Sequence, residues 1–386
     1  MNSMQRMRAA VLTAPETIEI RELPCPVPGP REVLVRPVAV GVCGTDMHIY
    51  SGEANYHLDA RGRPVSLADH PQVLGHEIVA EVLECGAEVR DLAAGSRVIV
   101  DQGLNCHSTA RTPVCEFCAS GDSHQCEDFR EHGISGLPGA FAEALAVPAV
   151  NAVRIESGLD RIPAAMTEPL ACVLHALEFT ARAATRYRLG ATDPAQRVRS
   201  VLIVGAGPAG LMLCQVLRNE LGFDGRILAS EPDPHKRALA RNSGAETFDP
   251  ADGDLAAWVQ DRTDGRRVEF LFEASGSGPL FRELPGLFRK QATLVLYGHG
   301  HGGVGMEALN AVQWREPSLI SPIGASGGFD ADGRPAIYRK ALHLIESGQV
   351  EVAPLLTHRV DGLERVAQVF AGLHREPGYV KGVVAL

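Results

Sequence analysis

The chain is predicted to be an α/β protein in which a doubly wound parallel sheet is joined to a β-rich part. Three observations carry this. The apolar run Val201-Leu202-Ile203-Val204 stops at Gly205-Ala206-Gly207-Pro208-Ala209-Gly210, and the apolar segment Leu211 to Leu221 follows with helical character. Strands then recur: Arg226 to Ser230 ends at Glu231, Val268 to Phe272 ends at Glu273, and Ala292 to Tyr297 ends at Gly298. Such alternation of strands with helices makes a parallel sheet. The N-terminal third is instead rich in Pro, Val and Gly turn signals, as in Pro24-Cys25-Pro26-Val27-Pro28-Gly29-Pro30. A length of 386 residues suits two domains, and 45% apolar residues supply ample core. There is no internal repeat, and no apolar run approaches the ~20 residues of a membrane span.

The Gly205–Gly210 segment has the spacing G-x-G-x-x-G between a strand and a helix, the context a dinucleotide site needs. Gly205 allows the tight turn, Gly207 lets the backbone approach a pyrophosphate, and Gly210 lets the helix pack on the strand. Pro208 opens the helix, whose N–H groups and dipole face the phosphates. Glu231 ends the second strand, where an acid accepts from ribose hydroxyls and repels a 2′-phosphate. NAD is therefore expected in preference to NADP, although Lys236 and Arg237 nearby could receive a phosphate.

Cys43-Gly44-Thr45-Asp46-Met47-His48, followed by Gly75-His76-Glu77, offers a thiolate, imidazoles and a carboxylate. Zn²⁺ takes these ligand types, and a catalytic zinc keeps three protein ligands with one position open. A cation there eases loss of an alcohol's proton. Cys115-x2-Cys118-x7-Cys126 has the tight spacing of a structural zinc lobe, with Cys106 as the natural fourth ligand. Met1 to Ala10 is polar and basic with no apolar run behind it, so no signal peptide is predicted. A reducing, cytoplasmic location follows, in which clustered cysteines read as metal ligands rather than disulfides. Glu116, Asp122, Glu127 and Asp128 flank the cysteines, and the net charge is −10. Both argue against nucleic acid and anionic membranes as partners.

Taken together, these motifs resemble the zinc-containing medium-chain dehydrogenase/reductases over nearly the whole chain. Gly139-Ala140-Phe141-Ala142-Glu143, Thr167-Glu168-Pro169-Leu170 and Lys381 in a closing strand Tyr379 to Leu386 fit as well. Glu168-Pro169-Leu170 is similar to the polyol and sugar branch of that family, which includes sorbitol, glucose and threonine dehydrogenases. The resemblance implies a GroES-like, β-rich catalytic domain over 1–170, with the structural lobe at about 101–130. A Rossmann domain over 171–325 and a return to the catalytic domain over 326–386 complete the expected architecture. It implies two zinc ions per chain and a homodimer or homotetramer.

The implied catalytic set is Cys43, Thr45, His48, His76, Glu77 and Glu168. Cys43 and His76 are zinc ligands in this reading. The third is Glu168 or Glu77, one directly and the other through water, with Cys172 as a rival one helical turn after Glu168. Thr45 takes the hydroxyl proton and passes it through the cofactor ribose to His48, while the carbon-bound hydrogen leaves as hydride to nicotinamide. An imidazole suits the outer end of that path. The expected activity is oxidation of a secondary alcohol of a polyol, sugar or related polar alcohol. An NADP-dependent carbonyl reductase and a non-catalytic binding member are the alternatives. The last should have lost a ligand or the glycine motif, and this chain keeps both.

Two stretches depart from the family pattern. Thr112 stands where the first lobe cysteine is usual, so Cys106 serves only if His107 to Val114 loops out. Ser51 to His70 is longer than usual and carries Tyr56, His57, Asp59, Arg61 and Arg63; it reads equally as a pocket wall or a solvated loop. Cys25, Cys85 and Cys214 read as core thiols, and His70 as structural.

Overall fold

A computed structural model describes residues 6–305 and 307–386. The chain forms two compact units. One comprises the chain through Ala171 with Ala325–Ser347 and Leu355–Leu386; the other is Cys172–Gly324 with Gly348–Pro354.

The first unit is built mainly on antiparallel strands, with His358–Asp361 and Gly382–Ala385 paired in parallel. Its larger sheet runs in the order Ala152–Arg154, Arg97–Val100, Glu77–Cys85, Glu32–Val42, Gly382–Ala385, His358–Asp361, and Leu145–Pro148 also pairs with Glu32–Val42. A smaller sheet joins Thr17–Pro24, Arg6–Ala14 and Gln72–Val73. The alternating Val, Ile, Ala and Leu positions of these strands bury one continuous core that includes Val33, Val35, Val40, Ile78, Ala80, Val82, Phe141 and Phe370. Glu32–Val42 is the central strand. Gly41 near its end pairs with Glu77 at the start of the next strand, which brings Cys43 beside His76-Glu77. The closing strand is Gly382–Ala385, shorter than the sequence reading, and Lys381 immediately precedes it. His358–Asp361 and Glu32–Val42 flank it, and pairing sets its length.

The second unit is a six-stranded sheet in which every neighbouring pair is parallel. Its order is Glu246–Phe248, Arg226–Ser230, Ser200–Val204, Val268–Glu273, Phe288–Leu296, Ser318–Ile320. The order reverses at Ser200–Val204, the first strand, so its carboxyl end opens at a topological switch point, where such sheets bind ligands. The strand read as Ala292 to Tyr297 starts earlier, at Phe288, with a register shift against its neighbour. The helix after Gly207 is α-helical over Pro208–Gln215 and continues as a π-helix over Val216–Glu220. Cys214 is fully buried, whereas Cys25 and Cys85 are half-buried at the edge of the first unit's core. Among the described residues, no helix is long and apolar enough to cross a membrane.

Candidate active site

Helix Gly44–Ser51 starts at Cys43, whose extended backbone makes it the N-cap. Thr45 and His48 lie three residues apart on this short helix, a spacing that places side chains on one face. Cys43 Sγ lies 3.7 Å from Thr45 Oγ1. His48 Nδ1 lies 2.7 Å from Glu53 Oε2. Asp46 is fully buried, and its Oδ2 accepts from the Cys43 backbone N–H at 3.0 Å, while its Oδ1 accepts from Gly75 N at 3.3 Å and faces His76 Nδ1 at 3.2 Å. A carboxylate only accepts, so Nδ1 carries the hydrogen and Nε2 is left for a cation. Burial alone pushes the His76 imidazolium down. The charge and hydrogen bond of Asp46, with Cys43, reverse this and hold it well above the ordinary range.

The donor atoms of Cys43, His76 and Glu77 lie within 4.8 Å of one another. Glu77 is fully buried; its Oε1 accepts from Lys381 Nζ at 2.5 Å, and its Oε2 is buried with no hydrogen-bond partner. An orphaned carboxylate oxygen beside a thiol and an imidazole fits a divalent cation. Lys381 is itself buried. Burial pushes its ammonium down, but Glu77 and Cys43 outweigh that and raise it. Room for the carboxylate comes from Gly41, where a Cβ would fall 1.8 Å from Glu77 Oε2. Gly41→Ala is therefore expected to displace Glu77 and to release metal; the variant should hold one fewer zinc per chain by elemental analysis.

Glu168 stands in the first turn of helix Thr167–Arg182 and is buried. Its Oε1 accepts from Gln102 Nε2 at 3.3 Å, and Gln102 Oε1 in turn accepts from the Tyr338 hydroxyl at 2.5 Å. It is not part of the three-residue group. Cys172 is half-buried.

Cys106, Cys115, Cys118 and Cys126 form a second buried group with all four sulfurs within 4.8 Å. Cys106 and Cys126 are 3.6 Å apart, and Cys115 and Cys126 3.9 Å. A tetrahedron with Zn–S bonds of about 2.3 Å has edges of about 3.8 Å, so the set fits zinc and is too open for disulfides. The His107–Val114 segment loops out. Arg111 N donates to the Cys106 carbonyl, and the Arg111 guanidinium pairs with Glu127 and Asp128 beside Cys126. Backbone N–H groups of Cys118 and Glu127 lower the Cys115 thiol to about 6, whereas burial raises Cys118 and Cys126.

In the second unit, Gly205 has φ +95°, and a Cβ there would sit 2.9 Å from Ser275 N. A Cβ at Gly210 would fall 2.1 Å from the Gly205 carbonyl oxygen, so helix and strand touch there. Nothing lies within 4 Å of a Cβ at Gly207, which leaves the open backbone a pyrophosphate needs. Pro208 occupies the first helical turn. Glu231 is buried; its Oε2 accepts from Ala206 N at 2.7 Å and its Oε1 from Asp233 N at 2.9 Å. Arg237 is already committed, because it donates to the Glu231 and Pro232 carbonyls and pairs with Asp249. Lys236 is half-buried on helix Pro234–Asn242.

A Cys/His/Glu group able to hold a metal ion in one unit and a glycine-rich strand-to-helix turn in the other are the parts a metal-dependent dehydrogenase needs. The alcohol dehydrogenase GroES-like domain family matches residues 29–157, and the zinc-binding dehydrogenase family matches residues 208–347. L-threonine 3-dehydrogenase of Pyrococcus furiosus is 29% identical over 368 residues, 95% of each chain. Erythritol/L-threitol dehydrogenase of Mycolicibacterium smegmatis is 29% identical over 361 residues, 92% of this chain and 91% of that one. A structure described as a zinc-binding dehydrogenase of Sinorhizobium meliloti 1021, bound to NADP, superposes with a TM-score of 0.77 at 27% identity and covers 99% of both chains. The chain belongs to the zinc-containing medium-chain dehydrogenase/reductase superfamily, in its polyol dehydrogenase branch. It is an oxidoreductase of the alcohol and polyol dehydrogenase type, with a GroES-like domain and a Rossmann-type parallel sheet.

Proposed function

We propose that this protein oxidises a secondary alcohol of a polyol, sugar or related polar alcohol and passes the hydride to NAD. The single observation that carries this is the Cys43–His76–Glu77 group with its unpartnered buried Glu77 oxygen. When bound, zinc supplies the Lewis acidity that eases loss of the hydroxyl proton, and the nicotinamide accepts the hydride. Cys43, His76 and Glu77 would hold the catalytic ion, with Asp46 fixing the His76 tautomer and Lys381 orienting Glu77. Glu168, held by Gln102, would serve through water. Thr45 Oγ takes the proton, and His48, braced by Glu53, releases it. Cys106, Cys115, Cys118 and Cys126 would hold the structural ion. Residues 1–170 with 326–386 act as the catalytic domain and 171–325 as the nucleotide domain. A cytoplasmic homo-oligomer completes the reading. The parallel sheet ends in the edge strand Ser318–Ile320, and Trp314 nearby is 89% exposed, as suits a self-association face.

A screen of polyols, aldoses, cyclitols and amino alcohols with NAD⁺ and NADP⁺, read by absorbance of the reduced cofactor, tests the proposal. At least one polyol should reduce NAD⁺ in a zinc-dependent way. Reduction of neither cofactor by any alcohol would reject it.

Glu231 sets the cofactor preference in this reading. Glu231→Ser removes hydrogen bonds to a charged group, each worth on the order of 1.5–3 kcal/mol. NAD⁺ should bind more weakly, partly because Ala206 N loses its acceptor. The gain for NADP⁺ should be small, because Arg237 is tied to Asp249. Titration of both cofactors by fluorescence checks this; a wild-type preference for NADP⁺ would contradict it.

A further inference from the structure

The carboxyl ends of two neighbouring strands in the parallel sheet are pinned together by one buried acid. Glu273 ends strand Val268–Glu273, and its side chain is fully buried. Its Oε1 accepts from Ser275 N at 2.8 Å, Ser275 Oγ at 2.5 Å and Gly276 N at 3.0 Å. Its Oε2 accepts from Gly276 N at 3.2 Å and lies 2.6 Å from His301 Nε2. A carboxylate only accepts, so Nε2 carries the hydrogen. Among the described residues, His301 is the only basic side chain paired with Glu273.

His301 lies in a glycine-rich segment. Residues 298–303 read Gly-His-Gly-His-Gly-Gly, and Gly300 and Gly303 have φ of +113° and +75°. Such a run gives the free chain many conformations to lose on ordering. At its inner end, Tyr297 N and Gly298 N donate to the Glu273 carbonyl at 2.9 and 2.8 Å. At its outer end, the Gly303 carbonyl accepts from Arg282 Nη2 at 3.1 Å. Between these two ties stands the His301–Glu273 bond. Phe281 meets the imidazole edge-on, with ring centroids 5.1 Å apart.

Segments 274–278 and 298–303 are in backbone contact. A Cβ at Gly276 would fall 1.9 Å from the His299 carbonyl oxygen, and one at Gly278 would fall 2.1 Å from that of Gly302. A Cβ at Gly298 would fall 2.6 Å from Glu273 Oε2. The first segment also touches the nucleotide turn. Ala274 N donates to the Val204 carbonyl at 2.9 Å, and a Cβ at Gly205 would fall 2.9 Å from Ser275 N. The turn and both segments therefore stand side by side at the carboxyl edge of the sheet, where the strand order reverses. A dinucleotide lies across that point, one nucleotide on each half of the sheet. Glu231 serves the adenosine half in the proposed function, and 274–278 and 298–303 belong to the half left for the nicotinamide.

We infer that His301 is a positioning residue for NAD: through Glu273 it latches 298–303 onto 274–278, and the latched pair walls the side of the crevice that receives the nicotinamide half of the cofactor. Without the latch, NAD must itself order the glycine-rich segment, and binding weakens. This deepens the dehydrogenase reading and rests on it.

The test compares wild type, His301→Ala and His301→Gln. Glutamine keeps an N–H donor at about the reach of Nε2. NADH affinity is read by fluorescence titration, and the KM values for NAD⁺ and for the best polyol by steady-state kinetics. In His301→Ala, loss of one hydrogen bond to a charged group should weaken NADH roughly 10- to 100-fold. The NAD⁺ KM should rise by a similar factor. The polyol KM at saturating NAD⁺ and the zinc content should not change. Amide hydrogen exchange over 297–303 should quicken in the cofactor-free protein. His301→Gln should recover most of the affinity and of the protection. An unchanged NADH affinity in His301→Ala, or a His301→Gln protein as weak as His301→Ala, would overturn the inference while leaving the dehydrogenase reading standing. Wild-type protein that binds neither NADH nor NADPH would overturn that reading, and this one with it.

Discussion

Thr45→Val is expected to lower alcohol oxidation by about 10²–10⁴-fold, the usual contribution of positioned acid–base catalysis. The substitution keeps size and shape but removes the hydroxyl that lies 3.7 Å from Cys43 Sγ. Zinc should still bind, because Cys43, His76, Glu77 and the Asp46 brace are untouched. NAD should also bind, because Gly205, Gly207, Gly210 and Glu231 are in the other unit. His48→Ala should do less harm, because water can take a proton at the outer end of the path. Steady-state rates at matched zinc content check this. A Thr45→Val protein with near-normal turnover on its best polyol would eliminate Thr45 as the proton acceptor.

Lys381→Met should destabilise the protein strongly when metal is removed. The Lys381–Glu77 pair is buried on both sides, at 5% and 1% side-chain exposure. Removing one partner leaves a buried carboxylate without its counter-charge, a change that typically costs about 3–5 kcal/mol. Zinc at the Cys43–His76–Glu77 group would restore a positive charge beside that carboxylate. The loss in urea unfolding should therefore be largest in chelator-treated protein and smaller in zinc-loaded protein. Equal loss in both states would show that Glu77 does not face the metal position.

The nucleotide turn was legible because its chemistry is local. Gly205, Gly207, Pro208 and Gly210 serve a turn whose requirements lie within six residues. The Cys43 and His76-Glu77 segments were legible for a similar reason: each gathers metal-ligand residue types within a few residues of sequence. Cys106 was legible from its place nine residues before Cys115, on condition that the segment between loops out, and that loop is tied by Arg111 to Glu127 and Asp128. The brace on His76 was missed. Asp46 looks in sequence like an ordinary acid in a first helical turn, and its one signal was its place three residues after the N-cap, where it reaches back to Cys43 N. The pairing of Lys381 with Glu77 spans most of the chain and leaves no local trace. Glu168 fits a ligand motif, yet its hydrogen bond to Gln102, 66 residues earlier, depends on tertiary packing. Arg237 looked free to receive a phosphate because its partner Asp249 follows the next turn of chain. The 51–70 stretch was ambiguous because its order rests on hydrogen bonds of Asn55 and Asp59 and on the close approach of His57 to the distant Gly136, rather than on any periodic apolar pattern.

The most direct test of the account is zinc per chain measured together with polyol-dependent NAD⁺ reduction. Protein purified without chelator should hold two zinc ions. Cys43→Ser should retain one and lose activity, and Cys106→Ser should lose the other ion while the Cys43 site keeps its own. A Cys43→Ser protein that still reduces NAD⁺ with a polyol at full rate, or wild-type protein that is active while holding no zinc, would contradict a catalytic ion at Cys43, His76 and Glu77.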